Sequence, residues 1–333
     1  MATSIASQLA AIRSIAHVDS APQKRPFTRP SILFDPKEAA DIDIETLFNI
    51  AIQGLEVLIS NDERRSSIWI HLHNYEDLIL CALPYHDTHA FVRIVQILDI
   101  RNGTWGFLEG VKVSGAPPPR MVIVQQCLHD KGVLEVLCNY ASPSKKFQPS
   151  KNVIGFCTAV FIEVLGTVVT VDDDILKRIL PFVSSGLQHG INGVSDHKAS
   201  SLMIVSLLGN KAALAPKLLN RLINSVSEVA REEANELDLQ WFRLSLIALI
   251  ILVQSQNVGI LPIKALEVLK ELRDLPRVLL ELSKEFNIEK FLVVLLDSLI
   301  DCSSKDEYCQ QALLSLIEKV PINDSVHQVE TRL

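Results

Sequence analysis

The chain has 333 residues, 48% of them hydrophobic but only 6% aromatic, and 32 Lys plus Arg against 39 Asp plus Glu give a formal charge of −7. An apolar mass made mostly of Leu, Ile, Val and Ala favours helices interlocked through aliphatic ridges over a sandwich built on aromatic cross-strand pairs. The negative balance excludes condensation on nucleic acid by the overall field, so any phosphate contact has to be local or supplied by partners.

Residues 4–15 place Ile5, Leu9, Ile12 and Ile15 near helical spacing, which predicts a short amphipathic helix. The polar stretch 17–30, with Pro22, Pro26 and Pro30, breaks it. Residues 31–40 form a compact anchor in which Leu33 and Phe34 can dock while Asp35 and Pro36 turn the chain. Asp41 or Asp43 can cap the next helix, whose Leu47, Ala51, Leu55 and Leu58 share a stripe. A charged connection at 61–67 leads into Ile68-Trp69-Ile70-His71-Leu72-His73. Taken alone that alternation is a short strand, but the helical patterns on both sides weigh against it. A short helix at 76–82 is ended by Pro84, and 89–98 carries Phe91, Ile94, Val95 and Leu98 on one face. Residues 101–120, rich in glycine and proline, read as a loop packed by Trp105 and Phe107.

Helices then recur at 121–130, 132–140, 151–170, 173–186, 196–208, 212–231, 237–254, 262–272, 275–286, 288–300 and 304–320. Asp172, Asp173 and Asp174 put negative charge at a helix amino end, Pro262 suits a first turn, and Ser304 with Glu307 matches a capping box. In the helix after Ala212, Leu214, Leu218, Leu222 and Val226 step by four, with Leu219 and Ile223 widening the face, and Ala312, Leu313, Leu316 and Ile317 do the same in the last. Burying one such Leu or Ile is worth about 1.5–3 kcal/mol, so successive helices must cover one another. About forty residues per antiparallel pair is the dimension of HEAT-like repeats. The expected fold is therefore all-α, a HEAT-like helical-repeat solenoid of antiparallel pairs. Its expected divisions are a terminal helix and linker (1–30), an amino-terminal helical region with an irregular loop (31–140), and a helical array continuous with it (141–333).

Chemistry is sparse. His71 and His73 share a face only if extended, His86 and His89 only if helical, and Cys81 does not complete a convergent zinc set. No phosphate-cradling glycine loop, nucleophile elbow or cysteine–histidine pair is recognisable. The six cysteines read as small core residues in a reducing compartment. No secretory signal opens the chain, and the apolar run at 244–253 is too short to span a bilayer. No catalytic residue, metal or cofactor is expected, and neither a membrane nor a small-molecule substrate. Two basic clusters can touch phosphates without reading bases: Lys24, Arg25 and Arg29, and Lys145, Lys146 and Lys151. The plainer reading of both is solvated loop.

Two stretches are more specific. Residues 31–43 (SILFDPKEAADID), and 70–79 (IHLHNYEDLI) continuing through Leu83-Pro84-Tyr85-His86-Asp87-Thr88 to 91–96 (FVRIVQ), closely resemble the amino-terminal region of the large HEAT-repeat protein of the U3 small nucleolar ribonucleoprotein, with the flavour of a plant member. The resemblance implies a nucleolar, non-catalytic scaffold of the small-subunit processome. Its partners would be proteins of the early transcription-associated subcomplex, with local contact to precursor ribosomal RNA or U3 RNA. Leu33, Phe34, Asp35, Pro36, Tyr85 and His86, which lie in the resembling stretches, become candidates for partner docking or for a structural motif. Relatives carry extra helical sequence where 61–67 makes a direct join here, and they are several times longer, so this chain is expected to be a fragment or shortened product. Two alternatives stay open: a HEAT-like adaptor unrelated to ribosome assembly, and a weak direct RNA-binding module.

Overall fold

The computed structural model describes Gln53 and residues 75–320 apart from 99, 101–102, 144–148, 189–194, 235–238 and 305. The expected terminal helix, the anchor at Leu33 to Pro36, the join at 61–67, the alternation holding His71 and His73, and the lysines Lys145 and Lys146 lie outside the described residues. All regular structure among the described residues is helical, as fourteen α-helices and two 3₁₀ turns. The all-α expectation therefore holds, and the β-branched run after Val160 is helix as far as Thr167. The chain divides into two compact units, 1–119 and 120–333.

In the first unit the described elements are α1 (Tyr75–Ala82), a 3₁₀ turn (Leu83–Tyr85), α2 (His89–Ile97), a second 3₁₀ turn (Gly106–Leu108) and α3 (Glu109–Ser114). Pro84 sits in the turn where α1 stops, and the Thr88 hydroxyl caps α2 by accepting from Phe91 N at 3.2 Å. The expected loop at 101–120 is more ordered than its composition implies. Trp105 is fully buried with Phe107 5.9 Å away, and that apolar plug lets a 3₁₀ turn and a short helix form around it. Gly115, at φ +64°, then closes α3 in the left-handed conformation that glycine adopts without steric cost.

The second unit runs through α4 (Arg120–His129), α5 (Lys131–Ala141), α6 (Lys151–Thr167), α7 (Asp173–Gly186), α8 (Ser195–Lys211), α9 (Pro216–Glu233), α10 (Gln240–Ser255), α11 (Ile263–Glu271), α12 (Leu275–Ser283), α13 (Glu289–Ser303) and α14 (Glu307–Lys319). Helices two apart stack: α4 on α6, α6 on α8 and α8 on α10 make one layer, while α5 packs on α7 and α9 on α11 in the other. The apolar stripes are why. Leu222, Ile223, Val226, Val229 and Ala230 of α9 are buried, whereas Leu218 and Leu219 near its start are only half covered. Gly186 permits the tightest crossing: a Cβ there would collide with Ser201 Oγ and with the His197 carbonyl of α8.

Polar clamps tie like ends of stacked helices together at a nearly constant separation. The Lys211 ammonium, at the end of α8, donates to the carbonyls of Leu165, Gly166 and Val168 at the end of α6, at 2.8, 2.8 and 2.9 Å. One helix pair later Gln256 repeats the device, donating to Gly209 O at 2.6 Å and Ala212 O at 2.8 Å and accepting from Leu214 N at 3.1 Å. The Lys211 and Gln256 donor bonds span 43–47 residues, which is a HEAT-like period written in capping contacts. Terminal helical carbonyls have no partner in their own helix, so a side chain from the next repeat both satisfies them and fixes the stacking register.

Candidate functional site

The structure places the nominated residues in different surroundings. Tyr85 ends the first 3₁₀ turn, and its carbonyl accepts from Thr88 N at 3.0 Å and from the Thr88 hydroxyl at 2.8 Å. His86 is buried, with Nδ1 2.8 Å from the Pro118 carbonyl, which pins two parts of the first unit together across 32 residues. His89 is exposed at the start of α2. Lys151 opens α6 with its side chain 76% exposed and its ammonium 3.3 Å from the Asp196 carboxylate. Asp172 caps α7 by accepting from Ile175 N at 2.7 Å; that bond holds its carboxyl below the usual range, opposed by desolvation and helped by the charge of Lys131.

The buried titratable groups of α4 to α8 are built for packing. Burial pushes the Cys127 thiol up to about 12, with Asp130 adding to the effect, and likewise raises Cys138 and Cys157, so these thiols stay protonated and weakly nucleophilic. His197 lies against the Phe182 ring at 4.4 Å, with Nε2 3.0 Å from the Phe182 carbonyl. Burial lowers its pKa, opposed by that carbonyl bond, and favours a neutral ring that donates to the end of α7.

One polar cluster escapes the sequence reading. Cys302 in the last turn of α13, Asp306 at the N-cap of α14 and Cys309 in its first turn place one ligand atom each within 4.8 Å of one another; this is the one such group of three found among the described residues. Lys270 at the end of α11 donates to Asp306 Oδ2 at 2.5 Å, Cys309 Sγ lies 3.7 Å from the same oxygen, and Asp306 Oδ1 accepts from Tyr308 N at 2.9 Å. Lys270 first, and then the Tyr308 amide, hold the Asp306 carboxyl below its usual range, while burial and then Cys302 push Cys309 up to about 12. The sequence signal is the spacing of two cysteines around an aspartate. Ser304 and Glu307 obscure it by matching a capping box, whereas Ser304 ends α13 and Asp306 is the cap. Beside the cluster a cleft of about 150 Å³ opens between α11, α12 and α14, with Lys270, Arg273 and Gln311 among its walls. A groove of about 370 Å³ lies between α10 and α13, lined by Val253, Val258, Val293 and Val294 with Gln254 and Lys290. Aliphatic floors with polar rims suit burial of a partner side chain. No helix of the described residues is long and apolar enough to cross a membrane.

Comparison with known proteins agrees with this architecture. The family model described as U3 small nucleolar RNA-associated protein 10 matches residues 175–299, from the first turn of α7 to the last turns of α13. An uncharacterized protein of Arabidopsis thaliana is 49% identical over 390 positions, covering 100% of this chain and 18% of its own length. That alignment is longer than the chain, so the Arabidopsis sequence holds positions inside the aligned span that are missing here. HEAT repeat-containing protein 1 of Homo sapiens is 25% identical over 336 positions, covering 81% of the chain and 15% of the human protein. The U3 small nucleolar RNA-associated protein 10 of Aspergillus clavatus is 23% identical over 403 positions, covering 99% of the chain and 22% of the fungal protein. The chain thus spans a fifth or so of the length of these relatives. With the family model on α7 to α13 and relatives aligned along 81–100% of a helical-repeat chain, this protein is similar along its length to U3 small nucleolar RNA-associated protein 10 and its HEAT-repeat relatives.

Proposed function

We propose that this chain is a non-catalytic scaffold in ribosome biogenesis, acting in the nucleolus to support ribosomal RNA transcription and small-subunit ribosomal RNA processing through assembly of the early processome. The observation that carries the reading is the U3-associated family match at 175–299, which falls on the stacked helices of the second unit. Stacked repeats bury their apolar stripes against one another and leave their outer faces and inter-helix grooves to partners. Several modest contacts along one rigid frame raise the effective concentration of each at the next, which is how a protein without chemistry of its own assembles others. The partners in this reading are processome proteins of the transcription-associated subcomplex. RNA contact is secondary, through Lys151 with Lys145 and Lys146.

The test is recovery of the tagged chain from plant nucleolar extract, with its helical content checked by circular dichroism. Early processome proteins and U3 RNA are expected to co-purify. A folded chain that localises outside the nucleolus and returns none of them would overturn the proposal and favour an unrelated adaptor. For the RNA contact, replacing Lys145, Lys146 and Lys151 with glutamine should weaken binding and lower its salt dependence, by roughly one unit of slope for each phosphate no longer neutralised. Unchanged binding across that series removes the direct contact.

A further inference from the structure

Two thiols and a carboxylate converge at the junction of α13 and α14, backed by an ammonium from a different helix. The Lys270–Asp306 ion pair ties α11 to α14, and the Cys309 thiol lies against the same carboxylate oxygen, so two thiols and a carboxylate oxygen are held facing one another. We propose that Cys302, Asp306 and Cys309 form a binding site for one soft divalent cation of the zinc class.

The geometry is close to what such an ion requires. In a tetrahedron with metal–sulfur bonds of about 2.3 Å and metal–oxygen bonds of about 2.1 Å, a sulfur and an oxygen sit roughly 3.6 Å apart and two sulfurs roughly 3.8 Å. Cys309 Sγ and Asp306 Oδ2 are 3.7 Å apart, and all three donor atoms lie within 4.8 Å of one another. Small side-chain adjustments around a helix-to-helix turn close the remainder. Asp306 is fixed in place beforehand: its Oδ1 caps α14 through Tyr308 N, leaving Oδ2 aimed at the thiols. Thiolate donors select zinc over the hard cations magnesium and calcium.

The charge also closes. On binding, each thiol releases its proton to solvent, two sulfur–metal bonds and one oxygen–metal bond form, and two thiolates, one carboxylate and a dication leave a net charge of −1. The Lys270 ammonium, 2.5 Å from Asp306 Oδ2, neutralises it. A hydrogen bond to a ligating carboxylate from a second element is the usual support of a metal site, and it makes Lys270 a positioning residue. Cys309 is buried while Cys302 and Asp306 are partly exposed, so the fourth position faces the accessible side and takes water. A bound ion would lock α14 to α13, with Lys270 extending the lock to α11.

The experiment uses the full chain, reduced and stripped with a chelator, and Co²⁺ as a spectroscopic probe. One equivalent of Co²⁺ is expected to give a thiolate-to-cobalt charge-transfer band that Zn²⁺ displaces. Cys302→Ser should abolish the band. Asp306→Asn keeps an efficient N-cap, since asparagine caps as well as aspartate, and should weaken binding at least tenfold. Lys270→Met should weaken it ten- to a hundredfold without removing the band. Cys309 is buried, so its variants are read only where circular dichroism shows a folded chain; Cys302→Ser and Asp306→Asn carry the test without them. A folded, reduced chain that binds no more Co²⁺ than Cys302→Ser overturns the proposal, as does unchanged affinity in Asp306→Asn. So does a chain in which peroxide joins Cys302 to Cys309 but Co²⁺ gives no band, which would make the pair a thiol couple only.

Discussion

Two parts of the second unit solve the same packing problem with opposite polarity. From α6 to α10, stacked helices run side by side in the same sense: Lys151 at the start of α6 meets Asp196 at the start of α8, and the ends of α6, α8 and α10 are joined through Lys211 and Gln256. Beyond α10 ends meet starts. Gln254 at the end of α10 donates to Asn287 O and accepts from Phe291 N, 33 and 37 residues ahead, and Lys270 at the end of α11 reaches Asp306, 36 residues ahead, at the start of α14. The change follows from α11 and α12, two nine-residue helices separated by Leu272, Arg273 and Asp274, which add an extra reversal before α13. Parallel stacking brings carbonyl-rich ends together and calls for side-chain donors. Head-to-tail stacking brings a carbonyl end to an amide end, and short polar side chains bridge them. The register of a repeat is therefore held by its capping contacts as much as by its apolar face.

The comparison breaks most sharply at the core. Phe182 is fully buried in edge-to-face contact with Phe161 at 5.2 Å, so Phe182→Ala should cost about 3–5 kcal/mol. Urea unfolding followed by a probe in α6–α8 and another in α13–α14 should separate into two transitions, because repeat arrays couple mainly to their neighbours. A single coincident transition would mean that both stacking modes fold as one cooperative block. Next comes the clamp itself. Lys211→Met leaves three carbonyls at the end of α6 without their charged donor and should cost about 1.5–3 kcal/mol, measured by the same unfolding. Gln254→Ala removes neutral bonds in the head-to-tail part and should cost about 0.5–1.5 kcal/mol; equal losses would erase the distinction.

The pH response sharpens it further. His197 has a folded pKa below its ordinary value, so the unfolded chain takes up the proton first. Its contribution is complete above about pH 6.5 and declines as pH falls from there through the folded value. Thermal melts should show α6–α8 losing stability over that window while α13–α14 does not, and His197→Gln should flatten the slope. The smallest effect belongs to the exposed pair Arg178 and Glu135, on α7 and α5: Glu135→Gln should cost about 0.2–1 kcal/mol, and less in high salt.

Helix existence is legible in the sequence because aliphatic residues recur at 3.6-residue spacing, and the limits of α7 are legible because Asp172 is a strong cap. The start of α14 is not, because two adjacent capping patterns compete there, and only the backbone path of α13 decides between Ser304 and Asp306. The segment around Trp105 reads as irregular because glycine and proline dominate its composition, while its order comes from one buried indole. Among the site residues, Lys151 and His86 can be nominated by type and position, but that one pairs with Asp196 and the other with Pro118 is a fact of distance.

By itself the sequence determined that this protein is a set of amphipathic helices which must cover each other, since apolar periodicity is local and survives in one dimension. The tertiary structure alone decided which ends meet. Lys211, Gln256 and Lys270 bond to residues 36–47 positions away, and no local pattern tells a lysine that caps the next repeat from one left in solvent.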